Sequence, residues 1–225
     1  MPRKIFDREL ADLNQRMAET GSEVDSRIQQ TIFALRNMDL AEAEAVAKGD
    51  NDIDRMVRIM EKDCIDLITL QQPIAKDLRT IAAFLKILTD VEREADQCAD
   101  ICEILLAGEL KGNSLAVSHV VQMLEAARAM FRRAMNVLIS RDVEEARKIC
   151  DSDDEVDAMF GKIILEVCQY ISENPGRVMS EIDLLFITKY AERMGDHATN
   201  IAEWVIYMET GEHPDLNSLE VSTGG

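Results

Sequence analysis

The chain has 225 residues, 47% of them hydrophobic and only 4% aromatic, with 10 glycines and 4 prolines. So few breakers in a chain rich in Ala, Leu, Ile, Met, Glu and Asp indicate long helices with few turns, and the length suffices for one domain or two small ones with a real core. With 43 acids against 25 bases the formal charge is −18, which excludes nucleic acid and an anionic membrane as natural partners and favours cations or basic proteins.

An apolar period near 3.6 runs through Ile5, Leu13, Met17, Val24, Ile28, Ile32 and Leu35 and predicts one long amphipathic helix over 5–37. Asp39 then opens another segment, with Glu42 at capping-box spacing. Gly49-Asp50-Asn51-Asp52 breaks or kinks that segment, which resumes and runs to Gln71 before the turn at Pro73. A third long helix covers 76–107 and ends at Gly108. The plan then repeats: an amphipathic stretch over 114–140, Asp142 and Glu145 at capping-box spacing, and a restart at Ser152-Asp153-Asp154-Glu155. Asn174-Pro175-Gly176 is a turn, the last helix runs over 178–209 to Gly211, and 212–225 reads as a loose polar tail.

The halves align. Asp39-Leu-Ala-Glu-Ala matches Asp142-Val-Glu-Glu-Ala, and Asp50-Asn-Asp-Ile-Asp matches Asp153-Asp-Glu-Val-Asp, both at an offset of 103, while Glu92-Arg-Glu-Ala-Asp matches Glu192-Arg-Met-Gly-Asp at 100. An internal duplication follows. Short connections make neighbouring helices antiparallel. The expected fold is therefore all-α, with two tandem three-helix up-down-up bundles at 1–112 and 113–211. The N-terminus is charged at once, and no 18-residue apolar run occurs, so neither a signal peptide nor direct membrane insertion is expected. The five cysteines (Cys64, Cys98, Cys102, Cys150, Cys168) fit a reducing cytoplasm, with Cys98 and Cys102 as small core residues.

Helix register places acids together. Asp54 and Glu92 each stand 19 residues from Pro73, and Asp50 and Asp96 each stand 23 away. Around the Asn174-Pro175 turn, Asp157 is level with Glu192, and Asp153 with Asp196. Each copy thus opposes two acid pairs of i, i+4 spacing. Two bare charges about 6 Å apart repel by roughly 2–3 kcal/mol at an effective dielectric near 20. Such a seam must take up protons, pair with arginine, splay into water or bind a cation. Oxygen ligands alone suit magnesium, calcium, manganese, iron or zinc. The expected metal ligands are Asp50, Asp54, Glu92 and Asp96 in the first copy and Asp153, Asp157, Glu192 and Asp196 in the second. Gly195 would admit close approach of a neighbouring chain or a hydrated ion. Asn200 continues the second stripe where the first has Asp100. A lone D/ExxxD on a helix is usually a solvated face; the repetition of the register in both copies carries the metal reading. Arg93 and Arg193 follow each Glu but point about 100° away.

His119, His197 and His213 lie off the seam. No ExxH, phosphate-cradling glycine loop, GxSxG or CxxC occurs, and no nucleophile–base pair is visible. The residues therefore leave three options: a regulatory adaptor, a carboxylate-cluster metalloenzyme or metal store, and an ion-free scaffold.

Gln71-Gln72-Pro73-Ile-Ala-Lys-Asp-Leu-Arg79 resembles the hairpin signature of the PhoU family, and Glu192-Arg-Met-Gly-Asp-His-Ala-Thr-Asn-Ile-Ala-Glu203 resembles its C-terminal repeat. The likeness covers residues 5–211. It implies six helices in two similar bundles, no enzymatic activity, and a cytoplasmic accessory protein of phosphate transport. In such a role the chain negatively regulates the phosphate-starvation response by bridging the ATPase subunit of the phosphate ABC transporter and a sensor histidine kinase. It also implies E(D)xxxD metal clusters at the eight acids named above. A homodimer is the expected assembly. The exchange of Asp100 for Asn200 argues against equal metal occupancy of the two copies.

Overall fold

The computed structural model describes the backbone of residues 2–108, 110 and 115–212, with side chains from Phe6 onward except those of Asp50, Asn51 and Leu115. The first repeat consists of α1 (Pro2–Asn37), α2 (Leu40–Lys48), α3 (Asp50–Gln71) and α4 (Ala75–Ala107). The second consists of α5 (Leu115–Ser140), α6 (Val143–Cys150), α7 (Asp153–Glu173) and α8 (Val178–Thr210), with a 3-10 turn at Pro175–Arg177 before α8. Each repeat is thus three long rods with the middle one broken, as the glycine and aspartate stretches predict.

The breaks are built alike. Met38 and Arg141 turn the chain at φ +50° and +59°. Asp39 then accepts the N–H groups of Ala41 and Glu42, each at 3.1 Å, and Asp142 accepts that of Glu145 at 3.1 Å. These bonds satisfy donors that a new helix leaves orphaned. The return arm of the second capping box is not made, because Glu145 turns instead to Arg133. α4 and α8 both stop on a left-handed glycine, Gly108 at φ +81° and Gly211 at φ +85°, a conformation that a β-carbon penalises.

α1, α4, α8 and α5 pack in a ring, each against the next. α2 and α3 cover α1 and α4 on one side, while α6 and α7 cover α5 and α8 on the other. The two bundles therefore share one core, in which Met17, Ile28, Ile53, Phe84, Leu88, Phe131, Leu138, Ile187 and Ile201 are fully buried. α4 and α8 run antiparallel across the repeat boundary. Lys76 pairs with Glu209 at 3.3 Å, and Arg79 donates to the Met208 carbonyl at 3.2 Å. Further along, Asn200 donates to Asp90 at 3.1 Å and Tyr190 bonds Asp100. A hairpin turn therefore stands at each end of the molecule. α1 and α5 are tied by the two-pronged Arg128–Asp25 pair, at 2.7 and 3.0 Å.

Candidate metal centre

The seams lie where α3 meets α4 and where α7 meets α8. In the first, Asp54 is mostly buried and held by Arg58 Nη2 at 3.1 Å. Glu92 is half-buried. Desolvation raises its pKa, and Asp54, Asp96 and Glu61 add to the rise while Arg58 opposes it. Asp96 is half-buried beside it. Asp50 opens α3, but its side chain lies outside the described ones.

In the second seam, burial pushes the Asp153 carboxyl up to about 6, and Asp196, Asp157, Asp154 and Glu192 push the same way. Its Oδ1 lies 3.3 Å from where a β-carbon on residue 195 would stand, with Val156 Cγ1 at 3.2 Å. The bare Gly195 is what lets α7 and Asp153 approach α8 so closely. Asp153 is thus level with Gly195 and Asp196. Asp196 reaches solvent on one side; partial desolvation raises its pKa, Glu192 and Asp157 reinforce the rise, and Lys189 and His197 oppose it. Glu192 is paired with Lys189, whose ammonium also sits 5.5 Å over the Phe160 ring. Asp157 is exposed.

The register thus brings acids of facing helices within electrostatic reach of one another. It does not close them into a cage. Among the described residues, no three of His, Cys, Asp or Glu stand close enough to share a metal ion. Cations on the acids' own helices explain this: Arg58 holds Asp54 and Lys189 holds Glu192, while Asp157 and Asp196 extend toward water. Neither Arg93 nor Arg193 forms an ion pair with a described residue. The partners missed in the sequence have plain signals, since Arg58 and Lys189 sit at i+4 and i−3 from the acids they hold. The donor set itself fits a hard or intermediate cation, and the Asp153 carboxyl, raised first by burial and then by four neighbouring acids, is one whose ionised form a cation would favour.

The other singled-out residues have structural partners. His197 is buried, with Nδ1 3.0 Å from Asp90 Oδ1, so it braces α8 to α4 instead of facing the seam. His119 Nδ1 lies 2.6 Å from Glu166 Oε2; His213 falls outside the described residues. Cys98 and Cys102 are fully buried, and burial raises both thiols, Cys102 to about 11. No described helix is long and apolar enough to cross a membrane.

The PhoU domain matches this chain twice, over residues 17–105 and 120–205. The chain is 34% identical over 218 residues to a phosphate-specific transport system accessory protein PhoU homolog of Clostridium acetobutylicum, covering 96% of this chain and 100% of that one. It is also 34% identical over 210 residues to the homolog from Rhizobium meliloti, covering 93% and 89%. Two crystal structures superpose on it at 27% identity. PhoU from Pseudomonas aeruginosa does so with a TM-score of 0.85, covering 92% of this chain and 100% of that one. The phosphate transport system regulatory protein PhoU from Streptococcus pneumoniae does so with a TM-score of 0.86, covering 92% and 98%. With both repeats matched and nearly the whole length covered, the chain belongs to the PhoU family.

Proposed function

We propose that this protein is a metal-binding regulatory adaptor of phosphate uptake, acting in the cytoplasm as a homodimer and damping the phosphate-starvation response. Its relatives are accessory and regulatory proteins of phosphate transport, not enzymes. In this reading the repeats 1–112 and 113–211 form one rigid body that bridges the ATPase subunit of the transporter and a sensor histidine kinase. Asp50, Asp54, Glu92 and Asp96 would hold one cation site, and Asp153, Asp157, Glu192 and Asp196 another. A bound cation would neutralise the seam and tie the two helices of each hairpin together.

The observation that carries the metal part is the Asp153 carboxyl, raised to about 6 by its burial first and then by acids that reach it from both α7 and α8. The test is elemental analysis of protein purified without chelator, beside capture of the purified ATPase and of the kinase. We expect bound metal that falls sharply in an Asp54→Asn/Asp157→Asn variant, and capture of both partners. Unchanged metal in the variant would remove the ligand assignment; capture of neither partner would remove the adaptor.

A further inference from the structure

A groove lies apart from the two seams. At the end of the molecule bearing the Pro73 turn, α1 and α3 enclose an open groove of about 280 Å³. Its floor is apolar, built from Leu13 and Leu67, which are 2% and 4% exposed. Four carboxylates rim it, those of Glu9, Asp12, Asp63 and Asp66. Arg16 is the single base in the lining and is already paired with Asp63, and Asp66 is paired with Lys62 of its own helix at 2.5 Å. Glu9 and Asp12 form no ion pair with a described residue. Where the groove runs out toward the turn, the apolar character continues into solvent: Leu70 is 76% exposed and Ile74, on the turn itself, 70%. A single exposed leucine is unremarked on any surface, but large apolar side chains continuing a groove mark a contact face.

The second repeat serves as an internal control. The Arg16–Asp63 brace between α1 and α3 recurs as His119–Glu166 between α5 and α7, at the same offset of 103. At that offset Asp12 becomes Leu115, Asp66 becomes Gln169 and Leu70 becomes Glu173. The brace is therefore common to the fold. The acidic rim and the projecting leucine belong to the first repeat alone, so the architecture does not require them.

We propose that this groove docks a cationic amphipathic helix of a partner protein, with apolar side chains on Leu67 and Leu70 and lysines or arginines toward Glu9 and Asp12. Charge selects the occupant. A segment of the chain's own strongly acidic surface would be repelled, whereas a helix with one apolar face and one basic face meets both features at once. The proposal deepens the adaptor reading and rests on it in expecting a protein partner.

The probe is a fluorescent peptide of about five helical turns, with leucine at helical spacing and lysine elsewhere, beside a scrambled peptide of the same composition. Binding is followed by anisotropy at physiological salt. Leu70→Glu separates the two contributions because it adds negative charge while removing the apolar contact. We expect it to weaken binding of the patterned peptide about tenfold. Glu9→Gln/Asp12→Asn should weaken binding and flatten its salt dependence, while the remote Leu165→Ser and Asp154→Asn leave it within about twofold. Tighter binding by Leu70→Glu, or equal binding of the scrambled peptide, would reduce the effect to diffuse attraction to an acidic protein and overturn the proposal. A dimer that Leu70→Glu converts to monomer in sedimentation would assign the face to a second copy instead. Capture of the ATPase and kinase that survives Leu70→Glu would leave the adaptor standing and remove this groove from it.

Discussion

Glu94 is fully buried in α4, and neither of its carboxylate oxygens has a hydrogen-bond partner among the described residues. Desolvation, helped by Asp90, holds its pKa well above the ordinary carboxylate range. Since the folded value exceeds the unfolded one, its stabilising contribution is complete at low pH and is lost as pH rises through the folded value. The matching residue of α8 is Met194, also fully buried. Glu94→Met should therefore stabilise the protein at neutral pH by about 1–3 kcal/mol, which is a rise in Tm of about 2–4 °C per kcal/mol for a chain of this size. A lower melting temperature would show that Glu94 has a partner in solution. Asp153 follows the same sign. Its contribution is full below pH 3.8 and lost as pH rises through about 6. In the presence of chelator, Asp153→Asn should melt higher than the parent at neutral pH and show a flatter dependence of Tm on pH across that window. With divalent metal added, the order should reverse, because only the parent gains the binding energy. At this scale the sequence was partly legible. Counting from the turns placed Asp153 level with Asp196, since helical rise is regular. Which acids would be tied up by Arg58 and Lys189 was not, because rotamers of long side chains depend on local competition that spacing alone does not rank.

Among the elements, α4 and α8 form one of the two contacts that join the repeats, the other being α1 with α5. Asp90 accepts from both His197 and Asn200 through one oxygen. Asp90→Ala would leave the buried His197 and the half-buried Asn200 of α8 without their acceptor, and we expect a loss of about 1–3 kcal/mol by denaturant titration. A smaller loss in the Asp90→Ala/His197→Ala pair than the sum of the singles would confirm that the two residues act as a unit. At the end of α8, Gly211 combines a left-handed backbone with close contact to the Arg79 guanidinium. Gly211→Ala should destabilise by about 1 kcal/mol or more; Gly108→Ala, at the same φ but in open space, isolates the backbone share. Helix ends were legible because aspartate caps, glycine stops and proline turns act locally. The ring of α1, α4, α8 and α5 was not. Amphipathic periodicity says that a face is buried without naming its partner, and the 90/200 and 100/190 pairs that cross the repeat boundary show up only once the two halves are laid head to tail.

For the whole molecule, a formal charge of −18 means self-repulsion that ions of the buffer screen. We expect the melting temperature to rise as salt is raised from low to physiological concentration. A fall would mean that ion pairs such as Arg128–Asp25 outweigh the net charge. The antiparallel course of α4 and α8 has a further consequence. The Pro73 and Asn174 turns point away from each other, and α8, with 33 residues, is about 50 Å long. Four helices, α4, α5, α6 and α7, pack against it. Two bodies gripping opposite tips would be kept at a set distance by a stiff strut, so either could sense the other only through a change in the strut itself or in how it is gripped.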